Sequence, residues 1–82
     1  MITIIKFGAD WCAPCRALET ALKDKEYEKV DVGVDKERAL SLGIRSLPTT
    51  IFYKDGVESK RILGVFSAEK FDNIIKELED GE

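Results

Sequence analysis

The 82-residue sequence predicts a single α/β domain over residues 1–82, a four-stranded mixed sheet flanked by three helices in the order β-α-β-α-β-β-α. Three observations carry that expectation. A β-branched and aromatic run, ITIIKF at 2–7, leads into the cysteine pair CAPC at 12–15, which opens a helical stripe. The turn signal KDG at 54–56 separates two strand-like runs, and Phe71, Ile74, Ile75 and Leu78 then fall at i, i+3, i+4 and i+7.

The elements follow in order. Gly8 closes the first strand, Ile2 to Phe7. Pro14 suits an early helical position, where a missing N–H costs nothing, and Leu18 and Leu22 with Ala17 and Ala21 extend an apolar stripe to about Lys25. VDVGV at 30–34 alternates as a second strand, and Asp35 is placed to cap a short helix running through Leu42, with Gly43 as its stop. TTIFY at 49–53 and Ser59 to Leu63 form a hairpin around KDG, and Ser67 caps the last helix, with KELEDGE as its fraying end. Strands one and two, joined through a helix, are expected to be parallel by a right-handed crossover, and three and four antiparallel.

Composition narrows the function. The hydrophobic fraction of 44% and charged fraction of 35% are those of a folded globule. A net charge of -3 without any cluster of Lys and Arg speaks against nucleic acid or an anionic membrane surface as partner. The opening MITIIKFGAD is too short in apolar length for a secretory signal, and no run approaches the roughly 18 apolar residues of a membrane span. A cytoplasmic monomer is the expectation. In a reducing compartment two cysteines make a poor structural staple, which directs attention to redox or metal chemistry.

A cysteine at a helix N-terminus meets unpaired N–H groups and the positive end of the helix dipole, both of which favour a thiolate. Cys12 holds that position, and Cys15 lies one turn further on the same side. One sulfur can therefore attack a foreign disulfide and the other can resolve the mixed disulfide, a full cycle without a further cofactor. A closed zinc site needs four ligands, and this chain offers two cysteines and no histidine, so no metal is expected. Only a dimer sharing ligands, as around an iron–sulfur cluster, would supply them.

WCAPCR at 11–16 resembles the active site of the thioredoxin family, Trp-Cys-Gly-Pro-Cys followed by Lys or Arg, with Ala13 in place of the glycine. LGIRSLPT at 42–49 resembles the family segment that carries a cis-proline opposite the cysteines, here Pro48, and YKDGV with LGVFSAEKF matches its hairpin, glycine (Gly64) and last helix. The resemblance covers nearly the whole chain. It implies a minimal thioredoxin fold, closer in size to glutaredoxin, without the family's usual first strand and helix. It implies a thiol–disulfide oxidoreductase that reduces protein disulfides, with Cys12 attacking and Cys15 resolving. Trp11, Ala13, Pro14, Leu47, Pro48, Gly64 and Val65 would surround the substrate disulfide. A reductase such as thioredoxin reductase, or glutathione, would recharge it.

The resemblance also exposes a departure. Thioredoxins carry a buried Asp five residues before the tryptophan and a Lys in the next strand, and here those places hold Lys6 and Asp31. The expectation is a charge-exchanged pair, Lys6 facing Asp31 beneath the cysteines and serving proton transfer or thiol pKa tuning. A lysine snorkelling from a strand edge is the plainer reading of Lys6. Two other functions fit the same motif: a disulfide oxidant or isomerase, and a thioredoxin-fold binding subunit acting through its surface.

Overall fold

In a computed structural model, which describes residues 1–81, the seven elements appear in the expected order. They are β1 (Ile2–Gly8), α1 (Ala13–Ala21), β2 (Glu28–Asp31), α2 (Lys36–Ser41), β3 (Thr49–Lys54), β4 (Val57–Leu63) and α3 (Ala68–Asp80). The sheet order is β2-β1-β3-β4. β1 runs parallel to β2 and antiparallel to β3, and β3 pairs antiparallel with β4. The mixed four-stranded sheet with three helices is thus the fold of the chain.

Period-2 alternation along β1 assigns its side chains to two layers. Ile4 joins Leu18, Leu22, Phe52, Phe66, Phe71 and Ile74 in the layer under α1 and α3. Ile5 and Phe7 join Val30, Ala39 and Ile51 on the opposite face, under α2. The ring of Phe52 meets that of Phe71 edge-on at 5.6 Å, which fastens α3 to the sheet. The same alternation turns Lys6 toward α1, where it is 0% exposed.

Several boundaries differ from expectation; β4 begins two residues early, at Val57, and the larger departures are in β2, α1 and α3. β2 lies at 28–31 and not at 30–34, because the Asp31 carboxylate accepts from the Gly33 N–H at 2.7 Å and bends the chain out of the strand. Val34, expected within that strand, is 86% exposed. α1 ends at Ala21, and a turn follows in which the Lys25 N–H bonds the Leu22 carbonyl and the Lys25 ammonium reaches Asp72 of α3. α3 continues through Asp80, beyond the point where its charged tail was expected to fray. The expected caps form: Asp35 accepts from the Arg38 N–H at 3.2 Å and Ser67 from the Lys70 N–H at 3.1 Å. Among the described residues no helix is long and apolar enough to cross a membrane.

Candidate active site

Cys12 is the N-cap of α1, and its Sγ accepts from the Cys15 N–H at 3.2 Å. The two cysteines are joined as a disulfide, with their Cα atoms 5.2 Å apart. Pro14 lies in the first helical turn, where its lack of an N–H leaves the cap undisturbed. Cys12 retains 6% exposure and Cys15 only 1%, so the first cysteine is the more exposed residue of the pair. A thiolate released at Cys12 would sit against the free N–H groups and positive dipole end of α1.

The other wall of the site comes from distant sequence. Ala9, Cys12 and Cys15 form an apolar cluster against which Val32 and Leu47 pack. The Leu47–Pro48 peptide bond is cis. The loop before β3 is closed by the Thr49 hydroxyl, which donates to the Ser46 carbonyl at 2.7 Å. The Pro48 carbonyl in turn accepts from the Gly64 N–H at 2.9 Å. Register explains the meeting: Phe7 pairs with Thr49 and Thr49 with Leu63, so Gly8, Pro48 and Gly64 emerge at one end of the sheet. Around this end Trp11 is 77% exposed, Ala13 and Pro14 are exposed, and Val65 projects from the loop after β4.

Gly8 gives the buried sulfur room. A Cβ added there would lie 3.2 Å from the Cys15 Sγ, a tight approach from which the sulfur would have to give way by a few tenths of an ångström.

Lys6 and Asp31 do not form the expected pair. Lys6 stands directly opposite Lys29 of β2, whereas Asp31 is two residues further along, opposite Gly8. The Lys6 ammonium instead donates to Glu19 of α1 at 2.9 Å, and its charge lies 5.3 Å from the Tyr27 ring centroid. Lys29 reaches the same Glu19 oxygen at 2.8 Å. These contacts, from Lys29 first and then from Lys6, hold the Glu19 carboxyl below its ordinary value. Burial first, and then the Glu19 charge, push the Tyr27 phenol upward.

Asp31, besides bonding Gly33, borders a cavity of about 130 Å³ shared with Gly8, Arg16, Glu19 and Lys29. Glu19 was absent from the sequence reading. Its spacing from Cys15, i+4 on one helix, is the signal that would have found it. Among the described residues no group of three or more His, Cys, Asp or Glu is arranged to hold a metal ion.

Comparison with known proteins gives this geometry its context. The family model described as thioredoxin matches residues 1–77. The thioredoxin of Borreliella burgdorferi is 34% identical over 83 aligned positions, covering 92% of this chain and 71% of the relative. Among solved structures, Fasciola hepatica thioredoxin is similar with a TM-score of 0.72 and 32% identity, covering 92% of this chain and 79% of that one. A thioredoxin variant from Halobacterium salinarum, 24% identical, shares the fold with a TM-score of 0.88 over 99% of this chain and 77% of that one.

Proposed function

The chain belongs to the thioredoxin family and is a thiol–disulfide oxidoreductase, and on that premise we propose that it works as a reductant of protein disulfides. The observation that carries the reading is the Cys12–Cys15 disulfide at the start of α1, with Cys12 as the cap and the more exposed cysteine. In the dithiol form the Cys12 thiolate attacks a substrate disulfide, forms a mixed disulfide and releases one substrate thiolate. The Cys15 thiolate, having lost its proton, then attacks the Cys12 sulfur. The second substrate thiolate leaves, and the Cys12–Cys15 bond is restored. Two electrons pass from the protein to the substrate, and its two thiolates take up protons from the medium.

Trp11, Ala13, Pro14, Leu47, Pro48, Gly64 and Val65 form the substrate surface in this reading. The support is their common position around the disulfide and the absence of an N–H on Pro48, which leaves the adjoining Leu47 backbone to pair with an extended substrate segment. In this reading the Asp31 carboxylate serves proton exchange with Cys15 through water; the support is that it borders the cavity at Gly8, the residue against which Cys15 rests. The protein acts without a resident cofactor, as a cytoplasmic monomer in electron transport and redox homeostasis. It is recharged by a thioredoxin reductase or by glutathione.

The test is the reduction of a disulfide-bonded protein such as insulin by the dithiol form. Cys12→Ser abolishes turnover, and Cys15→Ser accumulates the mixed disulfide. Equilibration with a dithiol buffer gives a potential near about -270 mV, whereas a value between about -180 and -120 mV marks an oxidant or isomerase.

A further inference from the structure

Lys6 is a fully buried ammonium group, and its ion-pair partner is Glu19. A charge in that setting needs a counter-ion, because an unpaired buried cation is strongly disfavoured. Glu19 fills that role in the disulfide form. Cys15 stands at i-4 on the same helix and rests against Gly8, two residues beyond Lys6 on the same face of β1, so the Cys15 sulfur and the Glu19 carboxylate lie over one patch of sheet.

That patch also contains a polar group without a partner. The Thr50 hydroxyl, directly across from Lys6 on β3, is fully buried and has no hydrogen-bond partner in the disulfide form.

We propose that Glu19 is a positioning residue for the redox cycle: by claiming the Lys6 ammonium as its own counter-ion, it denies that charge to Cys15 and keeps the resolving sulfur a thiol at neutral pH. The inference rests on the dithiol–disulfide reading above. The charged groups around the patch are Lys6 on β1, Arg16 and Glu19 on α1, Lys29 and Asp31 on β2 and Asp10 in the intervening loop, with Tyr27 the neutral titratable group beside Lys6. Lys29 also binds Glu19, but it is more than half exposed and keeps its hydration when that contact is lost. Lys6 has no such recourse, so removal of the Glu19 charge redirects it toward Cys15.

The consequence for turnover is calculable in direction. Each unit by which the Cys15 value falls gains about tenfold in thiolate near neutral pH and loses about threefold in intrinsic nucleophilicity, a net gain of about threefold in resolution. Glu19 therefore slows release of the second substrate thiol and lengthens the life of the mixed disulfide.

The experiment follows the Cys15 Cβ carbon shift by NMR as pH is raised, in a Cys12→Ser background, with Glu19→Gln and with Glu19→Gln/Lys6→Met. Glu19→Gln should lower the midpoint by about one unit. Adding Lys6→Met should return it to the background value or above. An unmoved midpoint in Glu19→Gln overturns the proposal, and so does a drop that persists when Lys6 is gone. Glu19 is partly exposed and Lys to Met conserves volume, so both variants are expected to fold, which circular dichroism checks. The titration does not depend on protein-disulfide reduction by the unsubstituted dithiol, so failure of that assay and failure of this one are separate results.

Discussion

The Gly64 N–H donates to the Pro48 carbonyl, joining the loop after β4 to the loop before β3 at the end of the sheet that carries the disulfide. Gly64 holds φ at 87°, a region open to glycine and strained for any residue with a Cβ. Gly64→Ala should therefore cost about 1–2 kcal/mol in a urea midpoint assay and lower kcat/KM for a protein disulfide. Reaction with a small disulfide such as oxidised glutathione should change less if, as proposed above, the loop belongs to the surface that receives the peptide flanks of a larger substrate.

Gly8→Ala tests the fit of Cys15. The added methyl would press on a sulfur 3.2 Å away that the disulfide prevents from turning aside. The oxidised form should lose about 1–3 kcal/mol of stability by overpacking. The dithiol form, whose Cys15 can rotate, should lose less, which makes the disulfide more easily reduced. Equilibration with a glutathione buffer measures the difference directly.

The Lys6–Glu19 pair should respond asymmetrically to substitution. Removing Glu19 strands a buried charge, whereas removing Lys6 leaves a partly exposed carboxylate that still has Lys29. In the disulfide form Glu19→Gln should destabilise by about 2 kcal/mol and Lys6→Met by less than about 1 kcal/mol. Urea unfolding of both variants and of the double variant checks the order.

Acid should expose the same pair. The folded Glu19 carboxyl lies below its ordinary value of 4.5, so the stability it contributes is present above that pH and lost as pH falls through the folded value. Urea midpoints below pH 4.5 should fall more steeply for the parent than for Glu19→Gln, and the two should converge at the acid end. Glu28 and Glu58, also depressed by arginine partners, leave the variant some acid sensitivity of its own.

The cysteine pair, the hairpin at KDG and the caps at Asp35 and Ser67 were legible because each depends on a few adjacent residues. β2 was misplaced because VDVGV alternates correctly while the Asp31 side chain bends the backbone at Gly33. The true strand begins with Glu28 and Lys29, whose charges conceal it and are taken up by Arg38 and Glu19. The partner of Lys6 was hidden for a related reason. Strand order names the residues opposite it in the sheet, Lys29 and Thr50, but its counter-ion descends from the helix layer above.

The disulfide spans only three positions of sequence, which gives it a particular mechanical standing. A cross-link removes freedom from the unfolded chain in proportion to the logarithm of the loop it closes, and this loop is among the shortest that can be made. The architecture instead depends on pairings such as Ile2 with Lys54, which tie together remote parts of the chain whatever the state of the sulfurs. The bond can thus be opened and remade at every turnover without loosening the scaffold that aims it, much as a latch can be worked without disturbing its frame.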